Sequence, residues 1–118
     1  MSYVNKPGKT TDWRKMVTRQ QVSDFISFGK ITTTATKAKE TQRHVEWLIT
    51  LAKEKNLVNT REMGSIFLDT KYDKVAKLIT KAYDLGKKYA NRKGGYTRIL
   101  KLGTRPGDRT EECLLELV

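Results

Sequence analysis

The sequence predicts an α+β domain, and three observations carry that prediction. Apolar residues recur at helical spacing across residues 37–55 and 71–88, β-branched residues crowd into 31–36, and the last third alternates around a Pro-Gly turn. At 118 residues the chain has the usual size of one domain. Its apolar share of 37% lies below the globular average of about 45–50%, and its charged share of 31% lies above the typical ~25%. A modest core is expected, with segments that do not join it.

Residues 1–11 contain Lys6-Pro7-Gly8-Lys9, which is turn-prone and poor in apolar side chains. A basic extended arm is expected there, ordered only against a partner. Residues 12–118 should form a single α+β domain. Thr10, Thr11 or Asp12 can cap a first helix by accepting from its free amides. That helix should run to about Phe28 with Val17, Phe25 and Phe28 on one face, while Met16, Val22 and Ile26 fall off it. Gly29 is a natural stop, because it lacks the Cβ that penalises the left-handed conformation. Residues 31–36 read as a short strand.

In 37–55 the residues Ala38, Val45, Leu48, Ile49 and Ala52 share a helical face. Lys37, Lys39 and Arg43 occupy the first two turns, where positive charge opposes the helix macrodipole and an outside anion would offset it. A short helix is expected over 59–68. A longer one over 71–88 should turn Tyr72, Val75, Ala76, Ile79, Ala82 and Tyr83 inward and Lys71, Lys74, Lys77 and Lys81 outward. Those outward lysines are most simply a solvated face. Residues 96–102 partly alternate, with Arg98, Leu100 and Leu102 on one side and Thr97, Ile99 and Lys101 on the other. Arg105-Pro106-Gly107-Asp108 suits a type II turn, since proline presets φ and glycine accepts a positive φ. Residues 113–118 then complete a hairpin.

The formal charge is +11, from 24 basic and 13 acidic residues. Residues 1–43 carry +6, 44–80 carry +1, 81–109 carry +7 and the last nine carry −3. A near-neutral middle between two basic stretches points to a packed body that gathers cations from distant segments. A polyanion would relieve their mutual repulsion, with nucleic acid the first candidate and an anionic membrane the second. No stretch approaches the ~20 apolar residues a spanning helix needs, and the polar, basic start is not a signal peptide, so a soluble chain with no membrane partner is expected. Cys113 is the lone cysteine, so no intramolecular disulfide can form, and a reducing cytosol fits.

The stretch richest in chemistry is Arg92-Lys93-Gly94-Gly95-Tyr96-Thr97-Arg98. Paired glycines let a backbone approach phosphate closely, and flanking Lys93 and Arg98 can grip it. Tyr96 offers a ring to stack on a base and a hydroxyl for a sugar or phosphate oxygen. The plainer alternative is a glycine turn entering a strand. Arg14, Lys15 and Arg19 form a second basic group, where Trp13 is either a platform for a base or an anchor at the helix start. Catalysis finds no assembly. His44 stands alone in a helical pattern, and one histidine with Cys113 cannot build a zinc set unless carboxylates complete it. The glycine pair makes neither a dinucleotide fingerprint nor a phosphate loop. Cys113 reads as core and Glu111-Glu112 as a polar strand entry. No cofactor and no small-molecule substrate are expected.

Several blocks carry a resemblance. Ile31-Thr32-Thr33-Thr34-Ala35-Thr36-Lys37-Ala38-Lys39-Glu40, Leu48-Ile49-Thr50-Leu51-Ala52-Lys53, Gly94-Gly95-Tyr96-Thr97-Arg98-Ile99-Leu100-Lys101, and Arg105-Pro106-Gly107-Asp108 with Glu116-Leu117-Val118 occur in order. Together they resemble the bacterial large-subunit ribosomal protein family numbered seventeen, over residues 31–118. The resemblance implies helices packed on a small mixed three-stranded sheet with a basic N-terminal arm reaching into ribosomal RNA. It implies a non-enzymatic structural role in the cytoplasmic large subunit near the nascent-chain exit, with large-subunit rRNA and neighbouring ribosomal proteins as partners. Family RNA-contact roles carry over to Lys37, Lys39, Gly94, Gly95, Tyr96, Arg98 and Arg105. At the N-terminus the chain departs from the family, with Trp13-Arg14 where a histidine-arginine pair is usual. The full candidate set of RNA contacts is Lys6, Lys9, Arg14, Lys15, Arg19, Lys30, Lys37, Lys39, Arg43, Arg92, Lys93, Gly94, Gly95, Tyr96, Arg98, Lys101 and Arg105. A non-ribosomal RNA-binding adaptor is the alternative. An enzyme using Glu111 or Glu112 with Tyr96 has nothing further to recommend it.

Overall fold

A computed structural model describes residues 11–118. Lys6, Lys9 and nearly all of the expected arm lie outside the described residues. The elements run α1 (Thr11–Phe28), β1 (Lys30–Thr34), α2 (Ala35–Ala52), α3 (Leu57–Ile66), α4 (Val75–Lys88), β2 (Thr97–Thr104) and β3 (Glu111–Leu117). The α+β class stands. The sheet, however, is antiparallel throughout, in the order β1-β3-β2, and not mixed. The C-terminal hairpin folds back so that its last strand lies between its partner and β1, with Ile31 opposite Leu115 and Ile99 opposite the same residue from the other side. Pro106 and Gly107, at φ +99, turn the hairpin as their chemistry requires.

The core lies between the helices and one face of this sheet. Val22, Phe25 and Ile26 from α1, Val45, Leu48 and Ile49 from α2, Met63 and Phe67 from the α3 region, Leu78 and Ala82 from α4, and Leu115 from β3 form it. Each large apolar side chain fully buried there contributes about 1.5–3 kcal/mol. The buried residues of α1 are therefore Thr18, Val22, Ser23, Phe25 and Ile26, at spacings of four, one, two and one. This corrects the expected face, because Phe28 is 55% exposed, while Val22 and Ile26 point inward. In β2 the Thr97–Ile99 side faces the core and Leu100 and Leu102 face outward.

Capping chemistry sets the start of α4. The Val75 amide donates to Asp69 Oδ1 at 3.0 Å, and Thr70 and Asp73 close a turn through Thr70 N to Asp73 O at 2.8 Å and Asp73 N to Thr70 Oγ1 at 2.9 Å. The helix thus opens at Val75 and not near Lys71, so Tyr72, expected inside, is left exposed. Asn56 plays the same part for α3, accepting from the Asn59 amide at 2.8 Å.

Two of the expected solvated lysines are also committed. The buried Asp73 carboxylate accepts from Ser27 Oγ at 2.5 Å, Lys81 Nζ at 2.6 Å and Lys77 Nζ at 3.2 Å. Hydrogen bonding from Lys81 and then Ser27 holds that carboxyl well below the ordinary carboxylate range. A depressed folded-state value gives stability that is complete above the unfolded-chain value and lost as pH falls through the folded one. Urea midpoints should therefore drop steadily below about pH 4. Asp73→Asn should lower the midpoint at pH 7 and flatten that acid slope, and an unchanged slope in the variant would show that Asp73 does not set it.

Candidate nucleic-acid interface

Helix α2 crosses the start of β2, and one carboxylate fixes the crossing. Glu46 accepts from the Tyr96 amide at 3.1 Å, the Thr97 amide at 3.0 Å and the Thr97 hydroxyl at 2.7 Å. Three orphan donors at the strand entry are satisfied by a single side chain. The turn before them, Gly94-Gly95, is thereby held out in solvent. A Cβ built on either glycine meets nothing within 4 Å, and Gly95 has φ +65. The open backbone face expected of these glycines is present. Glu46→Ala should cost about 1–2 kcal/mol. It should also accelerate amide exchange at Tyr96 and Thr97 ahead of the sheet, which hydrogen exchange followed by NMR reads directly.

Tyr96 requires a correction. Its ring is fully buried, 5.5 Å from that of Tyr89, and its hydroxyl lies 3.2 Å from Thr50 Oγ1 and 3.3 Å from Arg92 O. It cannot stack on a base. It forms a floor instead. Lys53 Nζ stands 4.8 Å above the Tyr96 ring and donates to Arg92 O, Lys88 Nζ is 5.3 Å from the Tyr89 ring, and Lys55 Nζ is 5.6 Å from the Tyr83 ring. Cations over buried tyrosine faces are held in place by the ring quadrupoles. The sequence singled out none of these three lysines. Lys87 and Lys88 lie in the last turn of α4, and Lys53 and Lys55 follow α2, so they also complement two helix C-termini. With Arg92 and Lys93 they concentrate positive charge where the ends of α2 and α4 meet the glycine turn, a basic end for both helices.

The remaining candidates divide by their partners. Arg98 pairs with Glu116 at 2.6 Å, Lys101 with Glu111 at 3.6 Å, and Arg105 with Asp108 at 2.5 Å and Glu112 at 3.8 Å. The Arg105 hydrogen bond holds the Asp108 carboxyl far below its usual range. By contrast, Lys53, Lys55, Lys87, Lys88, Arg92 and Lys93 make no ion pair among the described residues. Arg19 is spent structurally, its guanidinium donating to Ile66 O at 2.9 Å and Phe67 O at 3.5 Å at the end of α3. Arg14 bonds Thr11 Oγ1 at 3.0 Å, Lys15 is exposed, and Lys37 stands 5.8 Å from the half-exposed Trp13 ring. Lys39 and Arg43 are exposed one turn apart on α2, the latter one turn before Trp47, and Lys30 is exposed opposite Glu116. His44 is buried, and burial keeps its imidazole below the ordinary range, which suits a neutral structural role.

Among the described residues, no group of histidine, cysteine and carboxylate side chains could hold a metal ion, and no helix is long and apolar enough to cross a membrane. Cys113 is buried in β3.

Sequence comparison with known proteins points to one family. The sequence profile of the family described as ribosomal protein L17 matches residues 17–118. The chain is 61% identical to the large ribosomal subunit protein bL17 of Ureaplasma parvum serovar 3, with both chains covered in full. It is 58% identical to bL17 of Malacoplasma penetrans, again over both full lengths. To bL17 of Mycoplasma pneumoniae it is 48% identical, across 99% of this chain and 95% of that one. A profile match over most of the chain and identity of this extent leave one assignment: the chain belongs to the ribosomal protein L17 family.

Proposed function

We propose that this chain is a structural constituent of the cytoplasmic large ribosomal subunit that binds and stabilises large-subunit rRNA near the nascent-chain exit, beside other ribosomal proteins. It performs no catalysis in this reading. The basic end grips the RNA: Arg92 and Lys93 beside the open Gly94-Gly95 backbone, with Lys53, Lys55, Lys87 and Lys88 around them. The observation that carries the proposal is the sorting of cations. Three of the four hairpin cations, Arg98, Lys101 and Arg105, are paired with acids of the same hairpin, whereas those around the glycine turn have no acidic partner among the described residues. An uncompensated cluster repels itself and is relieved when phosphates replace its condensed counterions. Lys39 and Arg43 extend the same polarity along α2.

The experiment is co-sedimentation. A tagged chain expressed in a bacterial host should pellet with large subunits after a high-salt wash and be absent from free small subunits. Recovery only in the unbound pool, with binding to other cellular RNA, would replace the ribosomal reading with that of an RNA-binding adaptor.

A further inference from the structure

The exposed residues of α2 are Thr36, Lys39, Arg43, Trp47 and Thr50. Their spacings of three, four, four and three place them on a single stripe of the helix. The stripe holds two cations, two hydroxyls and an indole ring, and no acid. Glu40 is buried, and Glu46 is turned to the strand entry, where it accepts from the Tyr96 amide and from the amide and hydroxyl of Thr97. Lys39 and Arg43 make no ion pair among the described residues. Trp47 is 38% exposed. Among the described residues no cation and no second ring meets its ring, and its indole N–H donates no hydrogen bond. The stripe ends at the basic group around the glycine turn, because Thr50 Oγ1 lies 3.2 Å from the Tyr96 hydroxyl and Lys53 stands over the Tyr96 ring.

We propose that Trp47 stacks one unpaired base of an RNA strand that runs along α2, with Arg43 and Lys39 holding successive phosphates of that strand. The proposal rests on the reading of the chain as an rRNA-binding protein and adds a base contact to the phosphate grip. The make-up of the stripe selects the occupant. Two cations without an acid call for an anion, and an indole with no partner of its own offers a face for a flat ring. An RNA strand presents both within one nucleotide. Four residues of helix advance about 6 Å along its axis, close to the separation of successive phosphates, so Lys39, Arg43 and Trp47 rise in step with a strand. A protein partner or a membrane surface would need a contiguous apolar patch, and the other four exposed residues of the stripe are polar. Phosphate alone would leave the indole unused. Every base has a π face, so no preference among bases is expected.

Fluorescence of the full chain tests the idea. The sequence has two tryptophans, and a Trp13→Phe background leaves Trp47 as the reporter. Octauridylate at low salt should quench its emission saturably, because a stacked base quenches an indole. An abasic ribose-phosphate strand of the same length carries the phosphates without the bases, and it should bind with little quenching. Trp47→Phe should preserve the affinity for octauridylate. Trp47→Leu, which keeps an apolar side chain and loses the aromatic face, should weaken it on the order of 10-fold and leave binding of the abasic strand unchanged. Lys39 and Arg43 replaced together with glutamine should flatten the salt slope by about 1.4 units, at about 0.7 for each phosphate contact on a single strand. Binding of octauridylate without quenching, equal quenching by the abasic strand, or undiminished affinity in Trp47→Leu would overturn the base site while leaving the rRNA reading intact. If Trp47→Leu binds both strands normally but strips a protein from assembled subunits, the indole is a protein contact and the proposal fails. Failure of the unmodified chain to retain large-subunit rRNA would instead remove the reading on which the proposal rests.

Discussion

Replacing Lys88, Arg92 and Lys93 together with glutamine should weaken binding to large-subunit rRNA by about 30- to 150-fold. At about 0.7–1 kcal/mol for each exposed cation–phosphate contact, three losses amount to about 2–3 kcal/mol. The matched control removes the same charge from the hairpin: Arg98, Lys101 and Arg105 to glutamine should cost less than about tenfold. Each of those already has an acid within 4 Å, so contact with phosphate requires exchange of one partner for another. The salt dependence separates the two further. Each phosphate contact contributes about 0.9 to the slope of log affinity against log salt concentration on duplex RNA or DNA. The first variant should therefore shed about 2–3 units of slope and the hairpin variant much less. Filter binding of each triple variant across a salt series reads both quantities. Equal losses and equal slopes would mean that net charge alone matters and that the placement of the unpaired cations does not.

That experiment differs from the one the sequence alone would have chosen, and the difference shows what the sequence could reveal. Patterns encoded within a few residues read well. Helix α2 carries its apolar face at regular spacing, Gly29 ends α1 at φ +82, and Pro106-Gly107 turns the hairpin. The blocks resembling the ribosomal family were legible for the same reason. Features fixed by distant partners were not. Tyr96 looks like a stacking residue because it follows two glycines between basic residues. Its burial is decided by Glu46, 50 positions away, which draws the strand entry onto α2. Arg98 and Lys101 look like free cations until β3 supplies Glu116 and Glu111. Lys53, Lys55, Lys87 and Lys88 belong to two segments whose meeting depends on the packing of α4 against α2. The +7 charge of residues 81–109 hinted at the second of these segments, and nothing local joined it to the first. In α1 the large side chain of Phe28 outweighed the smaller Val22 in the choice of face, although the end of a helix is where a large apolar residue most easily escapes burial. The sheet's direction depended on which element β3 would pair with, and no residue pattern states that.

The second large effect concerns the joint on which the basic end depends. Gly86 of α4 lies against the last turn of α2 so closely that a Cβ there would stand 2.4 Å from Ala52 O, 2.6 Å from Ala52 C and 2.9 Å from Lys53 N. All three are backbone atoms, so no side chain can swing aside. Gly86→Ala must push the helices apart, and overpacking of this kind costs about 1–3 kcal/mol or somewhat more. Alanine returns about 1 kcal/mol through its better helix propensity. A net loss of up to about 2 kcal/mol is expected, lowering Tm by up to roughly 10 °C for a chain of this length. Gly64 of α3 is the control, because a Cβ there meets only Ile79 Cδ1 at 3.9 Å. Gly64→Ala should gain up to about 1 kcal/mol from propensity, so the two identical substitutions should move thermal unfolding in opposite directions. The joint also bears on function. Lys53 follows Ala52 directly and Lys87 follows Gly86, so separation of the two helices pulls the lysines of one terminus away from those of the other. Well below its Tm, where it is folded, Gly86→Ala should therefore still bind large-subunit rRNA several-fold more weakly than Gly64→Ala, with a shallower salt slope. Normal affinity in a folded but destabilised Gly86→Ala protein would show that the two lysine pairs need not lie together, and the grip on RNA would then rest on Arg92, Lys93 and the open glycines alone.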